Sequence, residues 1–405
     1  MARVRQLILG LSSVLIISLV AAAAWAARKP SPSNAPIVVN TWAFTKATEK
    51  AWDVLTTSQS GSAALDSVEH GCGECERLQC DLTVGYGGSP DEEGETTLDA
   101  LIMDGTAMDT GSVTDLRYIN NAISTAKKVM LYSTHSSLGG LQATTFAMDM
   151  GATLSNLSTK ASSDMYYDWK GKNCQPNFRK NVHPDPSKSC GPYKPLTQDV
   201  LAAGTASREA SKINESLLMK VSRDSRELAE QVKTGTASRQ ESRVTRNNHD
   251  TISMIALDSD GNIAAGSSTN GANHKIPGRM SDSAVAGAGA YADSRVGGCG
   301  STGDGDVHLR FLPCYQAVES MRQGLSPKKA AEDAIRRIAE VYPGYVGALV
   351  TLSNAGEHGA AAHGWTFEYS VRDTSMTDVK VFKVTPLDTP LPLRSRAGTR
   401  WFWGM

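Results

Sequence analysis

A threonine stands where a polar segment of the chain meets an apolar one. The stretch NNHDTISMIALDSDGNIAAGSSTNG begins at Asn247, and its junction is Asp250-Thr251. TISMIALD is typical of a buried strand, Asp260-Gly261 of a hairpin turn and NIAAGSST of the returning strand. Residues 197–248 are rich in Ser, Lys, Arg and Glu, which predicts an exposed, flexible insertion, with a linker between two domains as the alternative. A flexible segment that runs into a rigid strand has the geometry of a processing site. The alternative is that Asp250 simply ends a loop and that Thr251 is present because threonine favours strands.

Cleavage before Thr251 would give a threonine with a free α-amino group. The threonine hydroxyl is a poor nucleophile that needs a base, and an α-amino group with a pKa of about 8 supplies one. A threonine paired with its own amino terminus is a recognised nucleophile–base arrangement. The base must be neutral, so burial or a cationic neighbour would help by lowering its pKa.

Two further motifs supply groups that hold a substrate and stabilise an oxyanion. HKIPGRMSDS offers Arg279 and Asp282, of which the first suits an α-carboxylate and the second an α-ammonium group. The alternative for this pair is a surface ion pair of little energetic value. The glycines of GGCGSTGDGD allow backbone N–H groups to approach a ligand closely, as an oxyanion hole requires. This run lacks the Lys-Ser/Thr ending of a phosphate loop, follows no clear strand, and lacks the spaced acidic ligands of a calcium loop.

Several motifs in one order resemble those of the glycosylasparaginases, which are N-terminal nucleophile hydrolases. The resemblance covers about residues 40–362, interrupted only by 197–248. It is carried by NTWAF, GCGECERLQCDLTVGYGGSPDEEGETTLDALIMDG, NCQPNF, DPSKSCGPYKP, HDTI, GSSTNG, GRMSDS, GAGAYAD, STGDGD and RFLP. The resemblance implies an α+β, four-layer αββα sandwich of two stacked, mainly antiparallel sheets flanked by helices. It also implies a precursor that cuts itself into two chains.

The resemblance also assigns roles to individual residues. Thr251 is the implied nucleophile and Asp250-Thr251 the implied self-cleavage bond. The remaining implied roles are substrate binding by Arg279, Asp282, Gly305 and Trp42, oxyanion donation by Thr302 and Gly303, and orientation of the amino group by Thr269.

The chain departs from the family pattern at a few positions. Ser253 stands where a glycine is expected, and its side chain would crowd the strand. Asp304 stands in place of an asparagine and adds a negative charge near an anion-binding site. Relatives carry two further disulfides in the C-terminal half, whereas Ala331, Thr351 and Ala362 occupy the matching positions here.

The N-terminus has the pattern of a secretory signal. Arg3 and Arg5 precede an apolar run from Leu7 to Val20 and then AAAAWAA, which predicts a signal peptide over residues 1–26, with a signal anchor as the alternative. Over the 405 residues, 41 Lys+Arg stand against 42 Asp+Glu, without a basic block, which argues against a nucleic-acid partner. We expect no membrane association after removal of the signal.

The seven cysteines are interpreted for an oxidising compartment. Three lie close together in GCGECERLQC, but a metal site lacks a nearby fourth ligand, so a disulfide is preferred, most simply Cys75–Cys80. Cys174 and Cys190 bracket a Pro- and Asn-rich loop that a second bridge would close. Cys72, Cys299 and Cys314 are expected to be buried and reduced. The sequons at Asn156 and Asn214 are candidate glycosylation sites.

Apolar spacing predicts the elements around these motifs. PIVVNTWAF reads as a strand, KATEKAWDVL and SAALDSVEHG as helices, and GYVGALVTLSNAGEHGAAA as a pair of strands. Leu116, Ile119, Ile123, Ala126 and Met130 recur at helical spacing. Ser326-Pro327 is typical of a helix start.

These observations predict a two-chain amidohydrolase, with chains 27–250 and 251–405 forming one domain. The expected substrate is the N-acetylglucosamine–asparagine linkage of glycoproteins, in a lysosome or outside the cell. We expect no cofactor, no metal, and a dimer of the two-chain units. The alternatives are an L-asparaginase or isoaspartyl peptidase, and an inactive secreted glycoprotein.

Overall fold

The computed structural model of the protein describes residues 35–196 and 251–387. Four sequence predictions lie outside the described residues: the signal peptide at 1–26, the insertion at about 197–248, Asp250, and the sequon at Asn214.

Two β-sheets form the centre of the fold. The strands are β1 (Ile37–Thr41), β2 (Leu98–Asp104), β3 (Asp109–Leu116), β4 (Ser137–Gly139), β5 (Val182–His183), β6 (Lys194–Pro195), β7 (Ile252–Leu257), β8 (Ile263–Thr269), β9 (Ala290–Asp293), β10 (Gly297–Gly303), β11 (Gly347–Ser353), β12 (His358–His363), β13 (Phe367–Asp373) and β14 (Lys380–Val384). The larger sheet has the order β14-β13-β1-β7-β8-β2-β3-β4 and the smaller one β12-β11-β10-β9, with β5 and β6 as a separate pair. In the two large sheets all neighbours are antiparallel except β3 and β4.

Helices cover the outer faces of both sheets. They are α1 (Thr45–Thr57), α2 (Ala63–Leu78), α3 (Ala122–Tyr132), α4 (Gly140–Asp149), α5 (Lys160–Gly171), α6 (Gly305–Phe311), α7 (Pro313–Arg322) and α8 (Pro327–Val341). Helices α1 to α4 bury side chains against the larger sheet, and α7 and α8 against the smaller one. None of the helices within 35–196 and 251–387 is long and apolar enough to span a bilayer.

The alternation of side chains along each strand produces this layering. In β1, Ile37 and Val39 face the smaller sheet, while Val38 between them faces the helices. Ala348 and Val350 of β11 pack into the same inter-sheet core. The order of layers is helices, sheet, sheet, helices, which confirms the predicted α+β sandwich.

The helix at Ala122 starts later than the apolar spacing suggests. Leu116 ends strand β3, and α3 begins only after Asn121, whose side-chain oxygen accepts a hydrogen bond from the Ser124 amide at 3.4 Å. Tyr118 has a φ of 60°, which no α-helix accommodates. Leu116 is buried, but it belongs to a strand and not to the helix. Its distance along the sequence from the buried residues of α3 matches helical spacing only by chance.

The glycine-rich run at 297–303 is itself a strand. No strand was predicted here, because glycine is depleted in strands. A Cβ on Gly300 of β10 would lie 2.7 Å from the Cβ of Ser253 in β7. The two sheets therefore approach so closely here that a larger side chain has no room.

Both predicted disulfides are present, at Cys75–Cys80 and Cys174–Cys190. Cys72, Cys299 and Cys314 are free and buried, as expected. Asn156 is exposed, and its side chain accepts a hydrogen bond from the amide of Ser158, the third residue of its sequon.

Candidate active site

Thr251 lies immediately before the central strand of the larger sheet. Strand β7 runs between β1 and β8, so both of its edges are paired. The Thr41 hydroxyl donates a hydrogen bond to the Thr251 carbonyl at 2.8 Å, and Thr41 Oγ1 in turn accepts one from the Ser253 amide at 2.9 Å. Thr251 is only 5% exposed. The sheet therefore fixes the backbone of Thr251 on its C-terminal side.

A cavity of about 290 Å³ opens at Thr251. Six residues that the sequence singled out line it: Thr251, Thr269, Arg279, Asp282, Gly303 and Gly305. Its other walls are Phe178, Gly271, Ala272, Ser281, Asp304, Asp306, Gly344, Val346 and Trp365. Residues on both sides of the 197–250 segment thus meet in one site.

Thr302 and Trp42 are not among the residues that line the cavity, but Thr302 contacts Thr251 directly. The Thr302 hydroxyl oxygen accepts a hydrogen bond from Trp42 Nε1 at 3.0 Å and another from the Thr251 backbone nitrogen at 3.0 Å. Cleavage before Thr251 would turn this nitrogen into the α-amino group of a new chain. Trp42 itself packs edge-on against Trp365 and Phe367.

Thr269 ends strand β8 beside Thr251. The antiparallel register pairs Ile252 with Ser268. Thr269, the next residue of β8, therefore lies opposite Thr251, which precedes β7. Its hydroxyl donates to the Thr83 carbonyl at 3.2 Å and accepts from the Gly271 amide at 3.0 Å. These bonds fix the Thr269 side chain, and its action on the Thr251 amino group stays a prediction.

Arg279 lies in the cavity wall and forms an ion pair that the sequence did not indicate. Its Nη2 donates to Asp306 Oδ2 at 2.9 Å. Its Nε is buried and has no hydrogen-bond partner among the described residues. Because a guanidinium group carries five N–H donors in a fixed plane, Arg279 retains donors for an incoming carboxylate.

Asp282 is a buried carboxylate with strong partners. Its Oδ2 accepts from Ser301 Oγ at 3.1 Å and lies 2.7 Å from His308 Nδ1. Burial acts to raise the pKa of Asp282, but the hydrogen bond from His308, the charge of Arg279 and the hydrogen bond from Ser301 outweigh it and hold the pKa below its ordinary value. Asp282 is therefore an ionised group suited to a cationic ligand.

Backbone conformation explains the glycines in GDGD. Gly303 has a φ of 122°, and a Cβ there would lie 2.5 Å from Gly347 Cα. A Cβ on Gly305 would lie 2.3 Å from Asp282 Oδ1, so glycine keeps that face of the carboxylate open. Asp304 between them accepts a hydrogen bond from the Val307 amide and caps helix α6. An asparagine side chain provides the same cap, so Asp304 can replace the expected asparagine without loss of this hydrogen bond.

Ser253 does not crowd strand β7, contrary to the expectation from sequence. Its hydroxyl lies 2.7 Å from the Ser301 carbonyl and 2.9 Å from Ser267 Oγ. The facing residue is Gly300, whose missing side chain leaves the space that Ser253 fills. A glycine on β10 therefore compensates for the serine on β7.

Several residues of the site escaped the sequence analysis. They are His308 and Tyr345 behind Asp282, Asp306 beside Arg279, and the aromatic residues Phe178 and Trp365 in the cavity wall. Asp306 ends the quoted GDGD motif, and its position beside the glycines is the feature from which it could have been predicted. Phe178 ends the quoted NCQPNF motif, whereas His308, Tyr345 and Trp365 lie in segments without a chemical motif.

Comparison with known proteins agrees with this geometry. The family model described as Asparaginase matches residues 13–379. The chain is 49% identical over 331 residues to the N(4)-(beta-N-acetylglucosaminyl)-L-asparaginase of Mus musculus, covering 82% of this chain and 85% of that protein. The Rattus norvegicus protein of the same name is 48% identical over 81% of this chain and 84% of its own length. A probable isoaspartyl peptidase/L-asparaginase 3 of Arabidopsis thaliana is 47% identical over 87% of this chain and 91% of its own length.

Proposed function

The chain belongs to the asparaginase family, and from that membership we propose that it hydrolyses the N-acetylglucosamine–asparagine bond of glycosylasparagines. The single observation that carries the proposal is the convergence of Thr251, Arg279 and Asp282 on one cavity. The names of the mouse and rat relatives support the choice of substrate.

The cavity has complementary groups for an aspartyl substrate. Arg279 binds the α-carboxylate through its guanidinium donors, and Asp282 binds the α-ammonium group. Together they direct the side-chain carbonyl of the substrate toward Thr251. Phe178 and Trp365 line the same cavity, and aromatic faces of this kind suit the C–H surface of a sugar.

The reaction proceeds through an ester of Thr251. Its hydroxyl attacks the amide carbon and gives its proton to its own α-amino group, which then protonates the leaving glycosylamine nitrogen. Water attacks the resulting ester, which releases aspartate and restores the Thr251 hydroxyl.

The oxyanion is stabilised by donors at Thr302 and Gly303. The Thr302 oxygen already accepts two hydrogen bonds, so both of its lone pairs are engaged. No residue within 35–196 and 251–387 accepts from this hydroxyl, and its hydrogen remains available for the oxyanion.

Self-cleavage uses the same hydroxyl. Thr251 attacks the carbonyl of Asp250, its own amide nitrogen is the leaving group, and water opens the ester to give chains 27–250 and 251–405. Thr41 supports this role, because its hydrogen bond to the Thr251 carbonyl fixes the attacking residue. The two chains share one inter-sheet core, since β1 and β2 precede the cut and β7 to β14 follow it.

An L-asparaginase or isoaspartyl peptidase is the second candidate, because the Arabidopsis thaliana relative carries that name. Purified protein should be assayed with glycosylasparagine, L-asparagine and a β-aspartyl dipeptide. We expect the highest kcat/KM with glycosylasparagine. Equal or higher efficiency with the dipeptide would favour the second candidate, and no turnover of any substrate would favour an inactive glycoprotein.

We also propose that the enzyme follows the secretory route to a lysosome and assembles as a dimer of two-chain units. The predicted signal at 1–26 and the sequon at the exposed Asn156 support the route. Immunolocalisation of the tagged protein tests delivery, and mass measurement in solution tests assembly.

A further inference from the structure

A buried chain of side chains extends from the cavity into the fold behind Asp282. His308 Nδ1 lies 2.7 Å from Asp282 Oδ2, and His308 Nε2 lies 2.5 Å from the Tyr345 hydroxyl. His308 is 0% exposed and Tyr345 2% exposed. Asp282 lines the cavity, whereas His308 and Tyr345 do not. His308 therefore acts on a ligand only through Asp282.

The partners determine where the protons lie. An ionised Asp282 only accepts hydrogen bonds, so His308 Nδ1 carries a hydrogen and donates it. In a neutral imidazole Nε2 then accepts, and Tyr345 donates to it. Burial raises the pKa of Tyr345 well above its ordinary value, which keeps the phenol protonated as this role requires.

Regular elements of the fold hold His308 and Tyr345 in this hydrogen-bonded network. His308 lies in α6, where its amide donates to the Asp304 carbonyl at 3.1 Å. Tyr345 lies in the turn before β11, its ring stacks on His363 at a centroid distance of 6.0 Å, and its carbonyl accepts from His363 Nδ1. A Cβ on Gly347 would lie 2.1 Å from the Tyr345 hydroxyl, so glycine leaves space for the phenol. The orientation of Asp282 is thus set by elements outside its own loop.

We propose that His308, oriented by Tyr345, is a positioning residue that makes Asp282 selective for an α-ammonium group. His308 donates to one carboxylate oxygen and fixes the rotamer, so that the other oxygen, beside Gly305, faces the ligand. This inference rests on the proposed recognition of an aspartyl substrate. It extends that proposal by assigning ammonium selectivity to two residues that touch no ligand.

A purely structural role is the alternative, since a satisfied buried network also stabilises a fold. The two roles differ in their effect on ligand choice. Loss of stability weakens all ligands of the cavity alike, whereas loss of positioning weakens ligands with an ammonium group selectively. L-Aspartate and succinate form a matched pair, because they differ only in that group.

The test measures the dissociation constants of L-aspartate and succinate by titration calorimetry on self-cleaved protein. We expect His308→Leu to weaken L-aspartate roughly 10- to 100-fold, because a hydrogen bond to a charged group is lost. Succinate binding should change no more than about threefold by the same reasoning, since it makes no ammonium contact. Tyr345→Phe should give a smaller loss of the same kind, and His308→Gln, whose amide retains an N–H donor, should restore part of the preference.

An unchanged ratio of the two constants in folded His308→Leu protein would overturn the inference. If that variant does not fold, unchanged ratios in both His308→Gln and Tyr345→Phe would overturn it equally. The parent protein's turnover of glycosylasparagine tests the proposed function separately. Binding of L-aspartate without that turnover would reject the function and leave the positioning role standing.

Discussion

At the scale of single residues, the proposed mechanism assigns two reactions to the hydroxyl of Thr251. Its backbone is fixed by Thr41 and by the pairing of β7, and its nitrogen contacts Thr302. In that proposal the same atoms act first on the chain's own peptide bond and later on an external amide. Substitutions of Thr251 that remove the hydroxyl or only the methyl group therefore test both reactions together.

Thr251→Ala should leave a single uncut chain without activity. Thr251→Ser keeps the hydroxyl but loses the methyl that restricts χ1, so it should still be cut and still turn over substrate at a reduced rate. Denaturing gels and a glycosylasparagine assay measure the two outcomes. Normal cutting and parental activity in Thr251→Ala would disprove the role of this residue.

Arg279→Lys should lower kcat/KM while self-cleavage continues. Lysine keeps the charge and can still pair with Asp306, but it lacks the planar fork for the substrate carboxylate. Loss of two hydrogen bonds suggests roughly 2–3 kcal/mol, or about a hundredfold in efficiency.

Arg295→Lys is the matched control. Arg295 also forks onto an aspartate, Asp293, but its side chain is 71% exposed and lies outside the cavity lining. The kcat/KM of the Arg295→Lys variant should stay near the parent value. A similar loss of kcat/KM in both variants would contradict a specific role for Arg279.

At the scale of elements, the disulfide-closed segment at 174–190 brings Phe178 to the cavity. Arg179 next to it forms an ion pair with Glu92, and the Asn177 side chain donates to the Pro186 carbonyl at 2.7 Å. These contacts hold a segment that has little regular structure of its own. We therefore expect it to affect the sugar part of the substrate more than the aspartyl part.

Removal of the Cys174–Cys190 bridge by paired serine substitutions tests this expectation. Loop-closure entropy predicts a loss of about 3 kcal/mol in the free energy of unfolding, which loosens the segment. The KM for glycosylasparagine should rise more than the KM for L-asparagine. Paired substitution of Cys75 and Cys80, which lie outside the cavity lining, should lower stability without changing the ratio of the two KM values.

At the scale of the whole molecule, two buried carboxyl groups make contributions to stability that depend on pH. Burial raises the pKa of Glu76, which joins α2 to the start of α3 and to Ser268 of β8, to about 7. Burial also raises the pKa of Glu95 to about 7. A raised folded-state pKa gives stability that is fully present below about pH 4.5 and is lost as pH rises through about 7.

Glu76→Gln should reduce this dependence on pH. The amide keeps the shape but does not ionise, so the thermal midpoint should fall less between pH 4.5 and pH 8 than in the parent, by an amount equivalent to about 2–3 kcal/mol. Glu74→Gln is the control on the same helix, because Glu74 forms an exposed ion pair with Arg77 and its pKa is lowered. Equal pH dependence in the parent and Glu76→Gln would contradict the prediction.

The sequence by itself determined the fold class and several of its elements, and it supplied the prediction that Thr251 is the reacting residue. Hairpin signals predicted β7 and β8, local apolar and capping patterns predicted four of the eight helices of the described residues, and short cysteine spacings predicted both disulfides, because each depends on residues that are close along the chain. The glycine strand β10 was missed, since its residues are chosen by the closeness of the two sheets rather than by strand propensity.

Only the tertiary structure decided how the site is supported. Trp42 reaches Thr302 across 260 residues, and His308 reaches Asp282 and Tyr345 across 26 and 37 residues. Arg279 finds Asp306 in the same way, 27 residues away. Such contacts leave no local pattern, because packing of the two sheets and of α6 sets which distant side chains meet. Residue types and spacing therefore predicted the chemistry proposed at Thr251, and the fold determined which distant side chains surround it.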